Sequence, residues 1–262
     1  MSEAVSGADG QYDPFIANDI YPEPGQVFQT SVRSVEQIKD ECIVVFDTNA
    51  LLVPYAIGKE SLEEIGKTYR KLAQQKRLVI PGQVAREFAR HRPDKLADAY
   101  QQLCRKRDGL LSVQIGKYPL LSSLEEYQDA FKKAKEIDDL LDVYRNMIGK
   151  ILDRMRDWIW NDPVSELYSK LFSDEVIVDD DWNREEIVKD LRRRKTHRIP
   201  PGYKDTGKED EGIGDLLIWY SILKVGKESK KSVLFVSGEE KADWWHRSEK
   251  HPIYPRYELV LC

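Results

Sequence analysis

Cysteine is scarce: Cys42, Cys104 and Cys262 are odd in number and far apart, with no CxxC pair. Neither a disulfide framework nor a thiolate zinc site is expected from that pattern. The four histidines, His91, His197, His246 and His251, show no HxxxH or HExxH spacing, so a histidine-ligated metal is not expected either. GxGxxG and GxxxxGK[ST] are both missing, which removes the dinucleotide-cofactor and P-loop classes. No apolar run approaches the roughly 18 residues of a membrane helix. The N-terminus lacks the basic segment and apolar core of a signal peptide. These absences together predict a protein of the reducing cytoplasm that does not enter a membrane.

What is present is charge and a moderate core. Charged residues make up 33% of the 262-residue chain and hydrophobic residues 41%, against about 25% charged in an average globular protein. The formal net charge of −5 argues against a general nucleic-acid coat and leaves room for a local basic groove. The length suits one large α/β domain. Residues 1–12 are small and polar and are expected to be disordered; a single domain is expected over residues 13–262. From Asp13 to Pro24, apolar residues alternate with Pro and Asp, which predicts an extended arm.

The first strong signal is Ile43-Val44-Val45-Phe46-Asp47, an apolar run stopped by a carboxylate. Such a run reads as a strand buried on both faces of a parallel sheet. Asp47 then stands at the carboxyl end, where open α/β sheets bind ligands. A charge placed there is costly unless something pairs with it. A short helix is expected within Ser31–Asp40. Ser61 and Glu64 form a capping-box pattern ahead of Leu62, Ile65, Tyr69 and Leu72 at helical spacing. Leu78-Val79-Ile80 is a second strand, followed by a helix opening near Gln83 and carrying Glu87. This β-α-β-α order builds a right-handed parallel sheet. Val233–Val236 is a further buried strand ending in Ser237-Gly238-Glu239-Glu240. Asp215 opens a helix that is apolar nearly all round, and Tyr257–Leu261 reads as a last strand.

The middle of the chain is helical. Ala134, Ile137, Leu141, Tyr144, Ile148, Ile151, Met155 and Trp158 recur at steps of three and four, predicting one helix from about Leu124 to Trp160 and roughly 55 Å long. Two readings are open: an antiparallel hairpin with a helix around Leu96–Leu111, or an arm for a homodimer or a protein partner. Asp179-Asp180-Asp181 ahead of Arg192-Arg193-Arg194-Lys195 reads either as helix-dipole compensation with Asp181 as N-cap or as a phosphate-contacting basic end.

Asp47, Glu87, Asp215 and Glu239 form the candidate constellation. Each has a plain alternative: an N-cap for Asp215, a helix-surface acid for Glu87, a turn residue for Glu239. Gathered at one point, several carboxylates cannot all stay ionised without a cation. Oxygen-only ligation suits Mg²⁺ or Mn²⁺, the ions of phosphodiester hydrolysis. Trp244 and Trp245 read either as base-stacking or as packing residues. Asp47 has no second Asp two residues on, which weakens an aspartyl-phosphate reading.

In order, VVFDTNALL, PGQVAREFARHR, PPGYKD, GIGDLLIW and FVSGEEKADWW resemble the PIN-domain nucleases, over about Glu41 to Arg247. The resemblance is to the PIN-like branch carrying a long helical insertion between the second and third acids, here about residues 95–195. It implies a Rossmann-like three-layer α/β/α fold with a central parallel sheet and a helical-hairpin insertion. It also implies an Mg²⁺- or Mn²⁺-dependent endoribonuclease that cleaves single-stranded RNA by in-line attack of a metal-activated water. By residue, it makes Asp47, Glu87, Asp215 and Glu239 catalytic metal ligands, with Asn49 and Ser237 in support. Asp243 is a substitute for the fourth ligand, because Gly238-Glu239 stands where the branch usually has two aspartates. Asp205 is a further rim acid, and Lys204, Lys208 and Arg92 are the candidates for phosphate contact. Family habit adds a toxin or phage-defence setting. The alternatives are a structure-specific DNA nuclease, acting on single-stranded or branched DNA, and a non-catalytic scaffold docking a partner through the insertion.

Overall fold

The computed structural model describes residues 12–29, 32–205 and 212–260; the expected disorder of residues 1–11 and the lysine at Lys208 lie outside them. The chain divides into two compact units, residues 1–90 with 169–262, and residues 91–168.

The first unit is built on four short strands: β1 (Ile43–Phe46), β2 (Leu78–Pro81), β3 (Ile177–Val178) and β4 (Val233–Val236), in the order β3-β2-β1-β4. All three pairings are parallel. β1 is buried along its whole length, as expected of an aliphatic run covered on both faces. Val45 is fully buried, and burying such a side chain contributes roughly 1.5–3 kcal/mol. Helices α1 (Ile16–Ile20), α2 (Pro24–Val27), α3 (Val35–Ile38) and α4 (Thr48–Leu52) are short, whereas α5 (Lys59–Gln74) packs on β2. Tyr69 of α5 lies against Phe46, with ring centroids 4.7 Å apart.

Two long helices follow, α6 (Gly82–Asp108) and α7 (Glu125–Arg156), and then α8 (Pro163–Leu171) and α9 (Arg184–His197). α10 (Ile213–Ser229) packs on β1, β2 and β4, with Leu216 and Ile218 fully buried. Leu216 meets Ile187 and Leu191 of α9. An antiparallel pair, β5 (Trp245–Ser248) with β6 (His251–Pro255), precedes α11 (Tyr257–Val260). No helix among the described residues is long and apolar enough to cross a membrane.

Several local expectations are corrected. The Asp13–Pro24 segment is not extended: Asp13 accepts the Phe15 amide at 2.8 Å, α1 follows, and Pro24 opens α2. α5 begins at Lys59 with Gly58 as N-cap, so Ser61 already lies in the first turn and caps nothing. Asn183, not Asp181, caps α9, accepting the amides of Glu185 and Glu186. Tyr257–Val260 is helical: Leu259 N–H bonds back to the Arg256 carbonyl, and Arg256 pairs with Glu258 at 2.5 Å. The segment that follows residue 168 groups with the sheet unit, where Ile177–Val178 pairs with Ile80–Pro81. Arg86 bonds Asp179 at 2.9 Å, and a Cβ on Gly82 would come within 2.1 Å of Asp179 Oδ1, so a side chain where β2 turns into α6 would displace Asp179.

The second unit centres on α7 and the later turns of α6. The buried stripe of α7 is rotated from the expected seam. Ala134, Ile148 and Leu152 are buried, whereas Ile137, Tyr144 and Ile151 are exposed. Polar residues take part of the inward face: Asp138 accepts Ser112 Oγ and the Val113 amide, and Arg145 donates to the Leu110 carbonyl. Two of these bonds satisfy backbone groups, the Leu110 carbonyl and the Val113 amide, in a segment that has no ladder of its own.

Arg92 is also corrected. It is not available to a phosphate, because it is buried against Asp162 at 2.5 Å, bonds Ser165 Oγ at 2.8 Å and the Ile159 carbonyl at 2.6 Å, and lies over the Trp160 ring. Burial alone would raise the Asp162 pKa, but the hydrogen bonds from Ser165 and Arg92 outweigh it and hold the carboxyl below its usual range. Removing one partner of a buried ion pair strands the other. Arg92→Ala should therefore cost about 3–5 kcal/mol in urea denaturation at neutral pH. The cost should vanish as pH falls through the depressed Asp162 value. Unchanged stability with weakened RNA binding would restore the phosphate-contact role.

Candidate active site

The site begins with the register of two neighbouring strands. Phe46 pairs with Val236, and Asp47 N–H donates to the Val236 carbonyl at 3.0 Å. The residues just past the two strands, Asp47 and Ser237, are therefore side by side. Ser237 Oγ donates to Asp47 Oδ2 at 2.6 Å, Asn49 Nδ2 to the same oxygen at 2.8 Å, and the Thr48 amide to Oδ1 at 2.7 Å. Asn49 also accepts the Gly238 amide at 2.7 Å. Asp47 is the N-cap of α4, a position that favours a carboxylate by dipole and amide bonding.

Glu87, on α6, accepts Thr48 Oγ1 at 2.7 Å and Gln83 Nε2 at 3.0 Å. Burial pushes the Asp47 carboxyl above its ordinary value; the bonds from Ser237 and Thr48 pull it down, and the charges of Glu87 and Glu239 push it up again. Glu87 and Glu239 thus lie within electrostatic reach of Asp47. Among the described residues the hydrogen-bond partners of Asp47 and Glu87 are amides and hydroxyls, none of them cationic.

The other rim acids carry their own cation. Lys241 Nζ lies 2.9 Å from Glu239 Oε2, 3.0 Å from Asp205 Oδ2 and 3.7 Å from Asp215 Oδ2. Burial alone would lower the lysine pKa, but these three acids outweigh it and hold the ammonium charged. Glu239 Oε1 caps its own turn, accepting the amides of Glu240 and Lys241 at 2.9 Å each. Gly212 (φ +81°) lets the chain enter α10 close to the preceding loop: a Cβ there would meet Asp205 Cβ and the Gly202 carbonyl at 2.8 Å. Asp215 stands in the first turn of α10, whose N-cap is Gly212. Asp243 is fully buried; Oδ2 accepts the Gly202 amide at 3.0 Å, while Oδ1 has no hydrogen-bond partner among the described residues. Burial pushes the Asp243 carboxyl up.

The family model of the PIN-like domain matches residues 43–259. The chain belongs to the PIN-like domain family. Its α/β fold with a central parallel sheet is a nuclease-type fold. No curated protein and no solved structure matches the chain.

Within this PIN-like fold the expected residues divide into two groups. Asp47, Glu87, Asn49 and Ser237 form one hydrogen-bonded group, and Asp205, Asp215 and Glu239 form another around Lys241. Lys204 is exposed, with Nζ 5.9 Å from the Tyr203 ring. Trp244 is a packing residue, stacked on Phe235 and donating to Asp215 Oδ2 at 3.4 Å. Thr48, Gln83 and Lys241 were missed. Thr48 and Gln83 bond Glu87 across elements, and no spacing rule announces that. Lys241 had one signal, a lysine set between acids in Glu239-Glu240-Lys241-Ala242-Asp243.

A divalent cation fits the first group: the donors are hard oxygens, and no described residue hydrogen-bonded to them is positively charged. No cluster of three or more metal-ligating residues is assembled among the described residues, since Glu239, Asp205 and Asp215 face the lysine. The raised Asp47 pKa sets the sign of a pH test. The folded state holds this proton more tightly than the unfolded chain, so ionised Asp47 weakens the metal-free fold as pH rises above about 4. With chelator present, the melting temperature of Asp47→Asn minus that of the wild type should therefore grow from pH 4 to pH 7. A flat difference would refute the raised Asp47 value that burial and the neighbouring acids produce.

Proposed function

We propose that this PIN-like protein is a divalent-metal-dependent endoribonuclease that hydrolyses single-stranded RNA. One observation carries the reading: the Asp47 carboxylate, held by three donors at the end of β1, has Glu87 and Glu239 within electrostatic reach and no cationic hydrogen-bond partner among the described residues. Asp47 and Glu87 would hold Mg²⁺ or Mn²⁺. The bound ion would supply Lewis-acid polarisation of the phosphate and acidify water. Ser237, Asn49 and Thr48 hold the two carboxylates in fixed orientation, which is the work of outer-shell partners at such sites. A cleft of about 920 Å³ beside Ser237 and Glu239 is lined by Phe235, Trp245, Lys227 and Lys231. Its apolar wall suits bases and its lysines suit phosphates.

The choice of RNA, and a toxin or phage-defence role, rest on the family resemblance. A cytoplasmic place of action is part of the proposal and agrees with the free thiols of Cys42 and Cys104. A non-catalytic scaffold is the second reading. It is favoured by exposed Ile137, Leu140, Tyr144, Met147 and Ile151 on α7, a surface suited to a second copy or a protein partner.

Cleavage should be compared on single-stranded RNA, single-stranded DNA and branched DNA with Mn²⁺. RNA is expected to be cut, with Asp47→Asn and Glu87→Gln each losing about a hundredfold or more and Asn49→Ala losing about 10–100-fold. All three variants should keep the wild-type circular dichroism. Full activity in Asp47→Asn, or preference for branched DNA, would sink the ribonuclease reading. No cleavage of any substrate, together with self-association in ultracentrifugation, would favour the scaffold.

A further inference from the structure

α7 carries two apolar stripes, and only one of them is buried. Ala134, Ile148 and Leu152 are covered, whereas Ile137, Leu140, Tyr144, Met147 and Ile151 are exposed, Leu140 at 68% and Met147 at 57%. The exposed five recur at steps of three and four, the a and d positions of a heptad, over about 21 Å of helix. Val143, also exposed, widens the stripe. Scattered exposed hydrophobics are ordinary, but a contiguous stripe marks an interaction surface. No segment outside the described residues has the composition to cover it. Residues 1–11 and 206–211 are small or polar, and 30–31 and 261–262 are two residues each.

The charges along the helix identify the occupant. Glu125–Asp142 holds seven acids and three lysines, whereas Val143–Arg156 holds four bases and one acid. Dipole compensation accounts for such charges only in the first and last turns, and Glu136 and Lys150 lie well inside both ends. We propose that α7 pairs with α7 of a second copy of this chain, antiparallel, about a twofold axis close to Val143. Reversal sets the acidic half of each helix on the basic half of the other; parallel pairing would set like on like. It also gives a self-complementary register, as an isologous interface requires. Ile137 then faces the partner's Met147, Leu140 faces the partner's Tyr144, and Glu136 comes beside the partner's Lys150. Ile151 meets the partner's Lys133. The stem of that lysine covers Ile151 while its ammonium keeps the 2.7 Å pair it makes with Glu136 of its own chain. The pairing does not depend on the nuclease reading.

Sedimentation equilibrium of the full chain should give twice the chain mass of 30.5 kDa. A wild type that stays monomeric up to about 100 μM overturns the proposal. Leu140→Asp combined with Met147→Asp should give a monomer with the wild-type circular dichroism, since both side chains are exposed. Glu136→Lys should weaken association roughly tenfold, because the twofold axis repeats each new like-charge contact. Lys150→Glu should do the same, and the two substitutions in one chain should restore the wild-type Kd. A dimer that survives Leu140→Asp with Met147→Asp overturns the proposal, as does a combined charge swap no tighter than the single ones. Should the Leu140–Met147 double variant unfold, the charge series decides, since it alters only exposed side chains. RNA cleavage by the wild type is read separately and tests the nuclease reading whichever oligomer is found.

Discussion

Everything at the rim depends on the parallel pairing of β1 with β4. Because Phe46 is level with Val236, the strand ends deliver Asp47 and Ser237 to the same point. A slip of one residue would reverse which face each side chain takes and would separate the carboxylate from its hydroxyl donor. Asn49 secures the arrangement from both sides, donating to Asp47 and accepting from Gly238. A half-buried carboxylate is costly on its own; three donors make it tolerable without neutralising it. The residual charge is what a cation would use.

The other half of the rim manages charge in the opposite way. There the protein supplies an ammonium, and Asp205, Asp215 and Glu239 are drawn to it. Two solutions to one electrostatic problem thus stand side by side, one with a fixed internal cation and one with none among the described residues. The departure from two aspartates to Gly238-Glu239 acquires a meaning in this setting. The longer glutamate both caps its own turn and reaches Lys241.

Much of the fold was legible in the sequence, because its signals are local. β1, β2 and β4 are continuous aliphatic runs, and α7 starts and ends close to where its periodicity places it. Legibility failed where the deciding contact came from elsewhere. Ile177–Val178 is too short to show a period and exists as a strand only by pairing with β2. The apolar spacing of α7 put Ile137, Tyr144 and Ile151 on its seam, whereas Asp138 and Arg145 bond the Val113 amide and the Leu110 carbonyl. Arg92 read as a surface cation only while Asp162 was unseen.

The sequence by itself determined the class of this protein: an α/β chain of the PIN-like family with acids at its strand ends and a long helix in the middle, since hydrophobic pattern and local motifs are written residue by residue. The tertiary structure alone decided how those acids share charge. Whether a carboxylate faces an amide, a hydroxyl or an ammonium depends on distances of a few ångströms between segments up to 190 residues apart. No local pattern encodes that spacing, and it is the spacing that divides the rim between Asp47 with Glu87 and the acids around Lys241.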